Sequence, residues 1–490
     1  MFNKYVIITT ILCITGCSSL APDYKNPTVE VNKKWVNLSN NINLSDQNLQ
    51  KKLWWNDFND PILNKLINLA LKENNNIQIS IGRILEAHSK MKEVSFSWLP
   101  TSNIEINTSI NQLYNPKVDL SNSALNIIQN GTNLNKIRVN NINLISEYNI
   151  NIFQNIKSQN IANLNIELQK TIHDSIKLSI IQQVTSNYLS YLGFKKQLQL
   201  QNTMLKNAKT LKKHLEIKYQ LGNTSLNRII TSDQLISSIQ NNIPPIHENI
   251  NRTQNALRLL VNKNPGNILT SNDFDRINTN IKIPINLPST LIKTRPDILI
   301  SEYELKIKNT EIALAASRLF PSVNLTGIVG NLGYYFANIA NFTANLIGIS
   351  ASMGSSVFNL DIYAKINTKK SQYYSAYFNY INTVRTAFFD VENTLSNYKF
   401  LGQQYQYTVN NYESAYKILN LVNSSYELGK VDYTNVLFAK LNMDDTKTKL
   451  NKIKIQKINA IISLYTSLGV GYDYSPNKNI IKKFNDGHDI

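Results

Sequence analysis

The stretch Tyr148-Asn149-Ile150-Asn151-Ile152-Phe153-Gln154-Asn155-Ile156 returns 210 positions later as Phe358-Asn359-Leu360-Asp361-Ile362-Tyr363-Ala364-Lys365-Ile366. A second pair, Tyr219-Gln220-Leu221-Gly222 and Tyr426-Glu427-Leu428-Gly429, lies 207 positions apart. Two halves of similar length therefore carry one design, the mark of a duplicated architecture. Between these landmarks Leu198, Gln201, Leu205, Ala208, Lys212, Leu215 and Tyr219 match Tyr405, Thr408, Tyr412, Ala415, Leu419, Val422 and Tyr426 at the offset of 207. Both series step by three and four, which predicts helices that coil around partners in the same register in each half.

Upstream of each helical tract the period changes to two. Ile104, Ile106, Thr108 and Ile110 alternate with Asn103, Glu105, Asn107, Ser109 and Asn111. Ile142, Leu144, Tyr148, Ile150 and Ile152 alternate with Asn141, Asn143, Glu147, Asn149 and Asn151, and the Asn130-Gly131 stretch between the two runs reads as a loop. In the second half a helix from Pro296 ends at Phe320-Pro321, and Val323 and Leu325 open the next strand. Ile347, Ile349, Ala351, Met353 and Val357 form a fourth, its apolar side passing to Phe358, Leu360 and Ile362 through a bulge. Each strand has the length a tilted transmembrane strand requires, and its Asn-rich face suits a watery lumen. Four strands cannot close, and an open edge in lipid leaves backbone groups unpaired, so a membrane barrel must be shared among subunits.

After each hairpin the helical pattern runs for some sixty residues, a rod of roughly 95 Å. The rods turn at Gly222 and Gly429, and the first return helix is expected to kink at Pro244-Pro245. The chain divides as follows: 1–16, a signal segment; 17–53, an arm; 54–266, the first repeat, with strands over about 101–154 and its turn near 222; 267–286, an inter-repeat segment; 287–471, the second repeat, with strands over about 322–363 and its turn near 429; and 472–490, a polar tail. The fold class is α+β. Helix from Asp60-Pro61 to Trp98-Leu99-Pro100 opens the first repeat, with Asp60 as N-cap.

At 490 residues the chain exceeds one compact core, and 42% hydrophobic residues suffice to bury an elongated one. The net charge of +18 comes from lysines scattered singly along helices, which argues against a nucleic-acid partner. His88, His173, His214, His247 and His488 show no metal-ligand spacing, and no phosphate loop or serine elbow occurs, so neither a metal nor a cofactor nor an enzyme activity is expected. Paired acids such as Asp444 and Asp445 sit in a charged helical stretch.

At the N-terminus Lys4 precedes the apolar run Tyr5 to Ile14, which ends in Ile14-Thr15-Gly16-Cys17. The cysteine after a small residue resembles the bacterial lipoprotein lipobox. That resemblance implies acylation of Cys17 as first mature residue, and Ser18 after it implies sorting to the outer membrane. Cys13 and Cys17 are the only cysteines, so the mature body forms no internal disulfide. No later run of eighteen apolar residues occurs, which leaves any crossing to strands.

With Trp54-Trp55-Asn56-Asp57-Phe58-Asn59-Asp60-Pro61, Leu287-Pro288-Ser289, Thr294-Arg295-Pro296-Asp297-Ile298 and Leu319-Phe320-Pro321-Ser322-Val323-Asn324-Leu325-Thr326-Gly327, in that order, the chain resembles the TolC-type outer-membrane factors. The resemblance is to their lipoprotein, NodT-like branch, which serves tripartite efflux pumps. The resemblance implies a homotrimer whose strands close a twelve-stranded outer-membrane barrel over a helical periplasmic tunnel, with 267–286 in a belt. It also implies passive conduction, with a periplasmic adaptor and an inner-membrane pump as partners and outer-membrane lipid around the barrel.

The family gate lies at the helix turns. The resemblance puts its tyrosine at Tyr426, an acidic position at Arg228 with Asn227 before it, and the paired aspartates at Asn435 and Phe438. Asp432 nearby supplies a carboxylate, and Gly222 and Gly429 mark the adaptor-docking turns. The sequence thus departs from an acidic gate: phenylalanines meeting on an axis close by apolar contact, whereas aspartates bind cations. The same heptads and anchor also suit a lipid-anchored coiled-coil scaffold without channel activity, and lipid-facing strands distinguish the two.

Overall fold

The computed structural model describes residues 24–30, 32, 34–36, 52–112, 136–268, 270, 274–281, 291, 294–336, 340–356 and 358–473. The signal segment, Cys17, most of the arm, the Asn130-Gly131 loop, Leu287-Pro288-Ser289 and the tail from 474 onward lie outside the described residues. A 3-10 turn at Trp54–Phe58 leads into α1 (Pro61–Glu73) and α2 (Asn75–Phe96). The hairpin β1 (Thr101–Gln112) and β2 (Lys136–Ile150) follows, then the 69-residue α3 (Ile152–Gln220), α4 (Leu226–Asn241) and α5 (Ile243–Leu260). The second half repeats this as α6 (Pro296–Ala316), β3 (Ser322–Phe336), β4 (Ala340–Gly354), the 68-residue α7 (Leu360–Glu427) and α8 (Tyr433–Ser467). The chain falls into two compact units, one containing 87–166 and 305–375, the other 26–86, 167–304 and 376–490.

In the first unit the strands form one antiparallel sheet in the order β1-β2-β3-β4, and among the described residues neither outer edge is paired. Its register places the four alternating apolar series on one face. One row runs Ile104, Leu144, Val329, Ile347, and the rows on either side include Ile106 with Ile142, and Ile349. Rows of Tyr148-Leu325-Ala351 and Ile150-Val323-Met353 continue it toward the helices. Rows two residues apart are separated by about 6.8 Å, so the five rows from Ile150 to Ile106 cover about 27 Å along the strands, close to the apolar band of an outer-membrane barrel. Ile347 and Ile349 are 79% and 91% exposed, so no described residue covers this face at their positions.

The polar groups within the band satisfy one another across strands. Ser102 and Ser146 hydroxyls lie 2.8 Å apart, and Asn331 Nδ2 donates to Asn345 Oδ1 at 3.3 Å. On the opposite face Asn103, Glu105 and Asn107 make β1 polar, while β2 mixes Asn141, Asn143 and Glu147 with Ile137, Val139 and Ile145. There β2, β3 and β4 depart from the expected pattern, because Ile328, Leu332 and Leu346 share that face with Ile145 and Val139.

The strands end earlier than alternation suggests, at Ile150 and Gly354 instead of 154 and 363. Two asparagines explain the switch: Asn151 Oδ1 accepts from the Gln154 N–H, and Asn359 Oδ1 from the Asp361 N–H, so the backbone turns helical there. Ile152, Leu360 and Ile362 are therefore helical residues, and no bulge carries the apolar side past 354. The equivalent caps lie 208 positions apart, so matching letters at an offset of 210 misaligns the halves by two residues. The long opening helix also divides, because Asn74 is extended (ψ 128°), its Oδ1 capping Asn76 N–H and its Nδ2 donating to Leu260 O.

The second unit buries Trp54, which stacks on Tyr465 at 5.1 Å and 15° and donates from Nε1 to Val470 O. Asp60 caps α1 through the N–H groups of Ile62 and Leu63 while its other oxygen accepts from Tyr188. A Cβ on Gly471 would come within 2.7 Å of the Trp54 ring, so this close approach requires glycine. Arg295, one-tenth exposed, clamps α6 to α7 and α8 by donating to Asp297, Asp390, Ala387 O and Ser467 O.

Helices α4, α3, α8 and α7 pack side by side in that order. Gln201 of α3 donates to Ile239 O of α4, Asn207 of α3 meets Asp444 of α8, and Leu419 of α7 packs on Val436 and Ala439 of α8. On α7 the heptad line Tyr405 to Val422 is the covered one, with Ala415 and Leu419 buried. On α3 the seam is rotated and wider than its counterpart: Gln201, Ala208 and Leu215 are buried as expected, but Met204 and Leu211 join them where Leu205 and Lys212 were expected. A helix with partners on both flanks buries two lines, and α3 has both where α7 has one.

Two outcomes test this account. Ile347→Arg, in the middle of the apolar band, should cost about 2–4 kcal/mol of barrel stability in urea unfolding from vesicles, while Asn107→Arg on the polar face should be nearly neutral. Trp54→Ala should cost about 3–5 kcal/mol, read by thermal unfolding of the oligomer.

Candidate functional site

The two glycine turns share one geometry. Gly222 and Gly429 have φ of +73° and +71°, the left-handed region open to glycine. Each completes a Schellman cap: Gly222 and Asn223 N–H groups donate to Tyr219 O and Lys218 O, and Gly429 and Lys430 to Tyr426 O and Ser425 O. Among the described residues no atom lies within 4 Å of a Cβ built on either, so the backbone angle demands glycine.

The next helices start differently. Ser225, before α4, makes no side-chain cap bond. Its equivalent Asp432 caps α8 by accepting the Thr434 N–H at 2.7 Å, and its other oxygen lies 2.6 Å from Lys218 Nζ in the last turn of α3. The Lys218 ion pair, followed by the Thr434 bond, holds the Asp432 carboxyl down at about 2. Lys218 also stands where the helix C-terminus favours a cation. The second turn is thereby tied to the first long helix, and Lys212 reinforces this end through Asp233 of α4 at 2.6 Å.

An aromatic chain crosses the same region. Tyr426 lies 5.2 Å from Tyr433, which lies 5.0 Å from His214, linking α7, α8 and α3. Sequence reasoning singled out Tyr426 and Asp432 but missed Tyr433, His214 and Lys218. Tyr433 could have been found as the residue following a cap aspartate; the other two are ordinary heptad letters.

Asn227 and Arg228 are exposed on the first turn of α4. Asn435 and Phe438 sit one turn apart on the exposed side of α8, whose other side buries Val436 and Leu437. Phe438 is 44% exposed, outside the clusters that join α8 to its neighbours. The chain therefore brings together Tyr426, Asp432 and both turn ends, and presents Asn227, Arg228, Asn435 and Phe438 outward. Cys17 lies outside the described residues. Among the described residues no helix is long and apolar enough to cross a membrane, and no three His, Cys, Asp or Glu side chains could share a metal ion.

Residues 287–470 match the family described as outer membrane efflux protein. The chain is similar to the probable outer membrane lipoprotein SilC of Salmonella typhimurium, 23% identical with 96% of this chain and 99% of that protein covered. It is also similar to the cation efflux system protein CusC of Escherichia coli K12, 23% identical over 94% and 97%. Among solved structures, the outer-membrane channel OprN superposes with a TM-score of 0.77 at 19% identity, covering 92% of this chain and 99% of that one. The Campylobacter jejuni CmeC outer membrane channel does so with 0.76 at 21%, covering 96% and 99%. The fold is that of these channels.

The tie at the turns has a pH signature. Because the Asp432 carboxyl is held below its ordinary value, its contribution is complete above about pH 4 and is lost as pH falls through about 2. Spin labels at Asn223 and Lys430 should keep a narrow distance distribution from pH 8 to 5 and broaden below 4. Asp432→Ala should be broad at every pH and lose about 0.5–2 kcal/mol of capping.

Proposed function

We propose that the chain is a member of the outer membrane efflux protein family, whose model matches residues 287–470, and that it is the outer-membrane channel of a tripartite efflux system. It works as a passive conduit from periplasm to exterior. The observation that carries this reading is the four-stranded sheet with a continuous apolar face and two open edges. In lipid every edge N–H and C=O needs a partner, so three copies join β1 of one to β4 of the next and close a twelve-stranded barrel. The flank of α7, where Phe400, Tyr407 and Leu421 are 58%, 71% and 69% exposed, is the natural seam for the neighbouring chain's helices.

Cys17 anchors the chain in the outer membrane through its acyl groups, as the name of the lipoprotein relative supports. The periplasmic end closes at the two turns. Asn227, Arg228, Tyr426, Asp432, Asn435 and Phe438 form the gate region, with Asp432 already neutralised inside its own chain by Lys218. Phe438 and Asn435, facing outward from α8, make an uncharged constriction that closes by dewetting. The turns at Gly222 and Gly429 receive the periplasmic adaptor, and the inner-membrane pump supplies the energy. No catalytic chemistry is required of any of these residues.

A heat-labile trimer in outer-membrane fractions with single-channel conductance is the expected result; a monomer released by lipase treatment would instead establish a lipid-anchored scaffold. Trivalent cations added from the periplasmic side should block the channel only weakly, and strong micromolar block would show a carboxylate ring that the proposed gate does not contain. Gly429→Leu should still trimerise but lose export, because the left-handed turn that meets the adaptor is distorted.

A further inference from the structure

The four strands carry only four charged residues, and the register divides them by sign. Glu105 and Glu147 fall on the polar face, whereas the positions of Lys136 and Arg138 share the face of Ile104, Ile142 and Ile347. Both bases stand at the hairpin end of β2, past the apolar band. Arg138 lies two same-face rows beyond Ile142, about 14 Å along the strand. At the tilt of barrel strands this is about 10 Å of height above the last apolar row, the level of the lipid headgroups.

The surroundings of Arg138 fit that level. Its cross-strand neighbours are Ile110 on β1 and Tyr335 on β3. A Cβ on Gly333 would lie 3.1 Å from the Tyr335 ring, so the ring leans back over Gly333 toward the apolar band. An aromatic ring with a polar tip, just past the end of an apolar band, is the girdle that marks the membrane surface on a barrel. Arg138 itself is exposed, and among the described residues no ion pair holds it. Its strand is flanked by β1 and β3 of the same chain, so closure with neighbouring copies at β1 and β4 leaves this surface open. A guanidinium at headgroup height meets phosphate, which its planar fork grips through two N–H donors.

We propose that the outward surface at the hairpin end binds a phosphorylated lipid of the outer leaflet, its phosphate on Arg138 and its acyl chains along the apolar rows of Ile106, Ile142 and Ile104. Lys136, two residues nearer the hairpin end on the same face, adds a second positive position. Glu105 and Glu147 on the other face repel such a lipid, so the division by sign decides the side on which it sits. The inference rests on the channel reading, which puts the hairpin end outside the cell.

Native mass spectrometry of the full-length oligomer released from nanodiscs tests this, with lipid A, its monophosphoryl form and phosphatidylcholine as probes. Retention should fall in that order, and the retention of lipid A should weaken as salt is raised. Arg138→Gln should weaken lipid A about fivefold, the worth of one basic residue beside an anionic lipid surface, while Glu105→Gln on the opposite face should not weaken it. Excess inorganic phosphate should leave the lipid in place, because its chains lie on the apolar band; displacement would show a site for free anions and overturn the proposal. Lipid A held no better than phosphatidylcholine, or held alike by the wild type and Arg138→Gln, would overturn it too while leaving the channel intact. If Arg138→Gln does not assemble, the salt series on the wild type decides, because retention that ignores salt involves no charge. A chain that enters no bilayer would overturn the channel reading and this inference with it.

Discussion

Backbone hydrogen bonding at the edges of the four-stranded sheet governs the rest of this structure. Strands β1 and β4 each present a row of unpaired N–H and C=O groups, and the face they border is apolar from Ile150 to Ile106. In water such an edge would invite any passing strand; in lipid it would be untenable at several kcal/mol per group. Only closure with copies of the same sheet removes both problems at once. The proposed trimer answers this incompleteness, and in it helices that no single chain could wrap around a lumen would share the wall of a tunnel.

The helical part answers to a second constraint, the wide seam on α3. With α4 on one flank and α8 on the other, α3 buries two lines of side chains, whereas α7 buries one and leaves Phe400, Tyr407 and Leu421 uncovered. The halves of the repeat have therefore diverged in role while keeping their length. The same divergence shows at the turns, where the Schellman caps are identical but only the second is followed by an aspartate that caps its helix and reaches across to Lys218. In the proposed gate this asymmetry supplies one end that holds and one that yields, without a ring of acids.

The pieces of sequence that drew most attention turn out to be structural staples. Trp54 lies on Tyr465 and donates to Val470 O, Asp60 serves both α1 and Tyr188, and Arg295 joins three helices. They hold the second unit together at points where distant segments meet, which is why they stand out as letters in otherwise ordinary helical tracts. The Pro244-Pro245 break is the opposite kind of feature: it interrupts packing and leaves a cavity beside α3 and α8.

What the sequence by itself determined is local and periodic. Alternation at Ile104 to Ile110 and Ile347 to Met353 specified strands and their lipid side, and glycine at 222 and 429 specified left-handed turns, since both follow from steric rules acting on neighbours in the chain. Letter matching failed where a cap decides: Asn151 and Asn359 end the strands, yet Asn149 aligns equally well with Asn359 on paper. Only the tertiary structure decided which face of α3 is buried, that Lys218 neutralises Asp432, that Tyr433 bridges Tyr426 and His214, and that Phe438 points away from its own chain. Those facts depend on which helix lies beside which, and a side chain's partner on another helix leaves no trace in the spacing of its own.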